Sequence, residues 1–303
     1  MVPKDQHLSR RELLRTAASG AAALMLPAKL LACKRADPDV ERLTKWVTAL
    51  RAEGLGKPGV PLGRGAVRVG ELAAGTPYVP YTLEEYLRNG GSPLQEPLIV
   101  SLAHFDCVTL VESCLAVARL ARNDEAPTWK RFRQEIERMR YRGGRRAGYT
   151  SRLHYFSEWI SDGEKRGLVK DLGPEFEAAE DNRPLRFMTE HREEYPALAN
   201  DGVFRDIKDT ELRLSQRPRH VIVRERIPEV ARQIETGDVL AFATRIAGLD
   251  VTHTAFAYRD TEGMLRVLHA PLSGGVVEIT RATLPEYVAA IRRSTGILVA
   301  RPS

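Results

Sequence analysis

The chain has 303 residues, of which 43% are hydrophobic and 28% charged. That is an ordinary globular composition, with enough length to bury one large core or two small ones. The formal charge is +6, but five basic and two acidic residues lie within the first 32, and the remaining 41 basic and 38 acidic residues nearly balance. This balance removes the electrostatic case for a nucleic acid or another polyanion as partner.

Residues 1–32 read as a signal peptide rather than as part of the fold. Ser9 to Arg15, "SRRELLR", is a twin-arginine pattern followed by a weakly apolar run. Pro27 and Lys29 make that run too short and too polar for a membrane span, which needs about 20 apolar residues. Leu30 to Cys33, "LLAC", resembles the lipobox of bacterial lipoproteins, with Cys33 as the acylated residue. The expectation is an exported, lipid-anchored protein of the periplasm or cell envelope. A plain cleaved signal with an incidental Cys33 is the alternative.

Residues 36–303 read as one α+β domain, helical to about residue 200 and β-rich from 201 to 303. A polar helix closes at Gly54 and Gly56, and "GTPYVPYTLEEYL" from Gly75 is a turn-rich approach to a short helix. The helix from Cys107 begins the core. Asp106 stands at its N-cap, and Cys107, Leu110, Val111, Cys114, Leu115 and Ala118 share one face. At ~1.5 Å rise per residue, the Cα atoms of Cys107 and Cys114 lie about 10 Å apart, too far for a disulfide. Cys114 is most simply a buried small hydrophobe. Cys107 sits in the first turn, where free N–H groups and the helix dipole lower a thiol's pKa. At that point a catalytic thiolate and a packed thiol are both open. Arg138, Arg140, Arg142, Arg145 and Arg146 follow on a segment that reads as a solvated basic face.

Beyond Arg219, short apolar or alternating runs bounded by Gly, Asp and Pro read as strands, with "LPEYVAAIRRS" as a last helix and "GILVARP" as a closing strand. "VTHTAFAYRDTEGMLRVLHA" reads as a hairpin. With its turn centred on Thr261, His253 and His269 face each other across the ladder. Ala255, Ala257, Leu265 and Val267 share their side, and this face is the expected seat for the cysteine helix. A nucleophile, a base and a group orienting the base are then present. Zinc held by Cys107, His253, His269 and His104 is the rival use of the same residues, disfavoured because no short Cys-x-x-Cys or His-x-x-x-His pair forms a site in advance.

Five blocks in order, "GTPYVPYTLE", "FDCVTLVE", "RYRGGRRAGYTSRLHYFSEWI", "GDVLAFATRIAGLDVTHTAFAYR" and "LHAPLSGGVV", resemble the N-acetylmuramoyl-L-alanine amidase-like family. The resemblance runs from about Gly70 to Pro302. It implies a papain-like, NlpC-type fold, with the nucleophile on a helix N-terminus packed against an antiparallel sheet or barrel and helical segments added. It also implies a Cys107–His253–His269 triad without cofactor or metal, and cleavage of the amide between N-acetylmuramic acid and L-alanine in muropeptides. "SLAHFDC", with His104, departs from the family pattern. Tyr78 is expected to help the Cys107 N–H hold an oxyanion, and Arg152, His154 and Tyr155 are expected to contact substrate. The alternative for that last segment is a helix start with Leu153, Phe156 and Trp159 in the core. Competing functions are cleavage of the γ-D-glutamyl–diamino-acid bond by the same machinery, or a wall-binding lipoprotein without catalysis.

Overall fold

The computed structural model describes residues 37–273 and 275–303. The twin-arginine pattern and Cys33 lie outside the described residues. Helix α1 (Pro38–Ala52) is capped by Asp37, whose side chain accepts from the Asp39 N–H. Helix α2 (Leu62–Leu72) follows, then a single turn, α3 (Glu85–Arg88), the core helix α4 (Cys107–Ala121), α5 (Trp129–Arg140) and α6 (Phe156–Lys165). Two short strands, β1 (Val169–Asp171) and β2 (Ala179–Asp181), interrupt the helical half. Another single turn, α7 (Phe187–Glu190), leads to α8 (Asp201–Ser215) and strand β3 (Arg219–Val223). The short α9 (Ile227–Val230), β4 (Val239–Thr244), β5 (Val251–Arg259), β6 (Leu265–His269), β7 (Glu278–Ile279), α10 (Leu284–Ala290) and β8 (Ser294–Pro302) complete the chain. No described helix is long and apolar enough to cross a membrane.

The strands form one antiparallel sheet in the order β2-β3-β8-β4-β5-β6-β7, with β1 also on β8. Every residue of β4, "VLAFAT", is buried, because both faces of the sheet are covered. On one face Ala241, Phe256, Leu268 and Leu298 pack against α1, α2, α4 and α5. On the other, Phe242, Ala255, Ala257 and Val267 pack against Ile227, Val230, Leu284 and Val288 of α9 and α10. A third cluster joins Tyr149 and Tyr155 to Met188, Val203 and Ile207 of α7 and α8. Gly63 shows how closely the layers approach: a Cβ there would lie 2.6 Å from the Gly237 carbonyl oxygen.

Helix α4 runs through the centre of the first core, with residues 109–118 all buried. Glu112 from its second turn is 1% exposed and meets Arg140 Nη2 at 2.7 Å, while Arg140 Nη1 donates to the Ile99 carbonyl. The expected solvated basic face is therefore partly interior. Arg140 neutralises a buried carboxylate, and Arg142 is paired with Glu158 at 2.7 Å. Burial with poor compensation is costly, so these pairs fix α5 and α6 against α4 instead of steering a partner.

Candidate active site

Asp106 terminates α4 through a capping box. Its carboxylate accepts from the Thr109 N–H at 2.7 Å, and Thr109 Oγ1 accepts from the Asp106 N–H at 2.8 Å. This cap places Cys107 at the first helical position, half-buried beside a cleft of about 330 Å³ lined by Tyr78, Tyr81, Glu84, Val108, Arg152 and Leu272. Depressions of about 470 and 560 Å³ on the outer surfaces of α1 and α2 are larger, but neither is lined by a cysteine or histidine.

The segment before α3 is pinned on both sides of the site. The Val79 N–H donates to the Phe105 carbonyl, the Phe105 N–H to the Pro77 carbonyl, and the Tyr78 N–H to the Gly275 carbonyl at 2.8 Å. Tyr78 is thereby held beside Cys107. Burial, with the Cys107 and Asp106 charges adding to it, pushes its phenol up to about 12, so it remains a neutral donor.

Strand pairing explains how the sulfur meets β5. Along β5 the Ala257 N–H points to the β4 side, where it bonds the Asp238 carbonyl. By alternation the Thr254 N–H points to the β6 side. There the ladder ends with Phe256 opposite Leu268, and β6 itself ends at His269. The Cys107 sulfur takes the vacated position, within reach of the Thr254 and Val108 N–H groups. The buried Thr254 hydroxyl lies there too, with no hydrogen-bond partner of good geometry.

His253 and His269 come together, but not as directly opposed residues. The turn is centred one position later than expected, so Arg259 pairs with Leu265 and Ala255 falls opposite His269. The imidazoles meet diagonally, with His253 Nε2 at 2.8 Å from His269 Nδ1. Phe242 stacks on His253 at 5.6 Å, and Tyr287 of α10 sits edge-on to His269 at 5.2 Å, its hydroxyl 3.3 Å from Nδ1. The seat of the cysteine helix also differs from expectation. Helix α4 packs on the Phe256 and Leu268 face, whereas the histidines stand on the Ala255 and Ala257 face; Cys107 reaches the strand end between the two.

The electrostatics correct a second expectation. Burial, reinforced by the Asp106 charge, pushes the Cys107 thiol up to about 11, against the opposing pull of the Thr254 and Val108 N–H groups. Burial holds His253 down to about 3, with His269 adding to it, and His269 down to about 4. These shifts favour a neutral thiol and neutral imidazoles at rest over a thiolate preformed by the helix dipole. Among the described residues, no hydrogen bond joins Cys107 to either imidazole, and His253 Nδ1 is left without a partner.

The substrate-contact residues separate. Arg152 lines the cleft floor, but its guanidinium is already paired with Glu84 and, at 3.3 Å, with Glu96. His154 donates through Nε2 to the Tyr149 carbonyl at 2.9 Å and packs on that ring. Tyr155 is 2% exposed, and its hydroxyl donates to Glu211 at 2.6 Å. Neither His154 nor Tyr155 lines the Cys107 cleft: Tyr155 commits its hydroxyl to Glu211, and His154 commits Nε2 to the Tyr149 carbonyl. His104 lies apart with Nδ1 3.4 Å from Ser101 Oγ, and no described group of three His, Cys, Asp or Glu converges as metal ligands.

Three contributors were missed in the sequence. Tyr287 sits next to the buried pair Leu284 and Val288, and the helical period could have found it. Tyr81, 64% exposed with φ of 60°, and Leu272, 71% exposed, both line the cleft and carry no local signal.

A model of the N-acetylmuramoyl-L-alanine amidase-like family matches residues 68–297. An N-acetylmuramoyl-L-alanine amidase from Bacteroides uniformis, of known structure, is 29% identical with a TM-score of 0.71, over 80% of this chain and 99% of its own. A Bacteroides fragilis protein provisionally described as a xylanase is 31% identical with a TM-score of 0.69, over 77% and 98%. A Legionella pneumophila protein at 19% identity shares the fold, with a TM-score of 0.60 over 86% and 95%. No curated protein matches the chain.

Proposed function

The chain belongs to the N-acetylmuramoyl-L-alanine amidase-like family, and on that premise we propose that it hydrolyses the amide between the lactyl group of N-acetylmuramic acid and L-alanine, with Cys107 as nucleophile. The observation that carries the reading is a helix-capped thiol that lines one cleft with the half-buried Tyr78 phenol and meets β5 at Thr254, the residue next to His253. A thiol at a helix N-terminus beside a sheet-borne histidine is also what a papain-like arrangement requires. Glycoside cleavage would instead need two carboxylates free to flank the bond. Here Asp106 is engaged in the helix cap and Glu84 in the Arg152 pair.

His253 Nδ1 removes the Cys107 proton as the sulfur attacks the lactyl carbonyl, so that charge develops only in the transition state. The Cys107 N–H and the Tyr78 hydroxyl face the developing oxyanion. Collapse breaks the C–N bond, and His253 passes its proton to the departing L-alanine amine. A thioester remains on Cys107, and water activated by His253 releases the muramyl acid and restores the thiol. His269 orients His253 through their 2.8 Å contact. Arg152 would reach a stem carboxylate only by sharing its fork with Glu84.

Muropeptides of defined structure test the reading by mass spectrometry of the products. A free muramyl sugar with an intact stem peptide supports it, whereas a disaccharide-dipeptide shows γ-D-glutamyl cleavage. No turnover at all shows a binding protein. An exported, lipid-anchored setting at the envelope belongs to the same proposal; radiolabelled palmitate incorporated by the wild type and not by Cys33→Ala supports the anchor.

A further inference from the structure

We propose that Glu278 is a positioning residue for the same site, holding the proton of His269 on Nε2 and thereby leaving His253 Nδ1 bare. The inference rests on the reading of His253 as the base. His269 is 1% exposed and its Nε2 has no hydrogen-bond partner, which is an expensive condition for a buried ring nitrogen. Glu278 Oε1 lies 3.7 Å away, just outside hydrogen-bonding distance. The two residues are direct cross-strand partners of β6 and β7, so their side chains leave the ladder on the same side. The Glu278 charge also acts on the Tyr287 phenol, which places the carboxylate within the same cluster.

Tautomer logic gives the carboxylate its role. A neutral imidazole carries one proton, and His269 meets His253 through Nδ1. If that proton is on His269 Nδ1, it donates to His253 Nε2, and the His253 proton is forced onto Nδ1. The base is then blocked at its one remaining nitrogen. If the proton is on His269 Nε2, its Nδ1 accepts from the His253 Nε2–H, and His253 Nδ1 is free to take the Cys107 proton. The Tyr287 hydroxyl at 3.3 Å cannot decide between them, because it both donates and accepts. An ionised carboxylate only accepts, so Glu278 selects the productive form. The groups facing His269 are His253 from β5, Tyr287 from α10 and Glu278 from β7, with Cys107 from α4 acting on the Tyr287 phenol. When His253 gains its proton, the negative charge of Glu278 also stabilises the imidazolium through the chain.

Glu278 is 46% exposed, so its replacement leaves packing intact. The experiment uses the full chain and its Glu278→Ala and Glu278→Gln variants. Two-dimensional proton–nitrogen spectra of the histidine rings read the tautomers, and steady-state kinetics on a muropeptide read the rest. The wild type should show both rings protonated on Nε2. Glu278→Ala should move His269 toward Nδ1–H and lower kcat about tenfold, the low end of the range for a hydrogen bond to a charged group, because the pair stands at 3.7 Å and Glu278 is half-exposed. KM should not change, and the acid limb of kcat should move to lower pH. Glu278→Gln, whose amide oxygen still accepts, should keep the tautomer and recover part of the rate. An unchanged ring spectrum in Glu278→Ala overturns the proposal, as does a shifted spectrum with kcat within twofold of wild type. The spectra need no turnover: an inactive wild type with a Glu278-dependent tautomer would refute the amidase reading and leave the hold of Glu278 on His269 standing.

Discussion

The reactivity of Cys107 separates the burial seen here from the thiolate that its helix position suggests. The thiol is pushed up to about 11, from an ordinary value near 9. At pH 7.5 about 3 in 10,000 of the native Cys107 thiols are then ionised, against about 3% of unperturbed ones, a deficit of roughly a hundredfold. A more basic thiolate is also a better nucleophile, and two pKa units return about eightfold. Alkylation of native Cys107 by iodoacetamide should therefore be about tenfold slower than in the denatured chain at the same pH. Its rate should climb about tenfold per pH unit from 6 to 10 without a plateau. Quantifying the alkylated Cys107 peptide by mass spectrometry separates it from Cys114, which is fully buried. A plateau below pH 7, lost in His253→Ala, would refute the reasoning, because it would reveal a preformed thiolate–imidazolium pair.

Other consequences are equally open to measurement. Tyr78→Phe removes one oxyanion donor and should lower kcat by about 10²–10³ with little change in KM; an effect within threefold would remove Tyr78 from the mechanism. Arg140→Ala leaves the Glu112 carboxylate, 1% exposed, without its partner, and should cost about 3–5 kcal/mol in denaturant unfolding. A loss below 1 kcal/mol would show that the pair is dispensable. His253 and His269 hold their protons off until about pH 3 and 4, whereas unfolded imidazoles take theirs near 6.5. Between those values the unfolded state binds more protons, so stability should fall as pH drops from 6.5 to 4. The His253→Gln, His269→Gln double variant should flatten that slope, and an unchanged slope would place its origin elsewhere.

The start of α4 was legible in the sequence because its determinants are local: Asp106 and Thr109 stand at capping-box spacing, and Cys107 follows the cap. The strands were legible because apolar runs between turn residues leave few alternatives, and β4, β5, β6 and β8 all fall on expected runs. Register was not, since the hairpin turn fits two centres equally well in composition. It is settled by Asp260, whose carboxylate accepts from Glu262 and Met264. Nor could the covered face be chosen, because Phe256 on one side of β5 and Ala255 and Ala257 on the other are all apolar. Tyr155 misled for a different reason. Its partner Glu211 is 56 residues away, and no local pattern announces a polar contact at that separation. Arg140 and Glu112, 28 residues apart, hid a buried pair inside what reads as a basic surface.

The measurement that tests the central claim most directly is rapid-quench intact-mass analysis of the enzyme mixed with a defined muropeptide. An acyl adduct of the muramyl moiety alone, mapped to Cys107 and absent from Cys107→Ala, is the predicted result. An adduct that retains L-alanine and D-glutamate, or turnover that survives Cys107→Ala, would contradict the account.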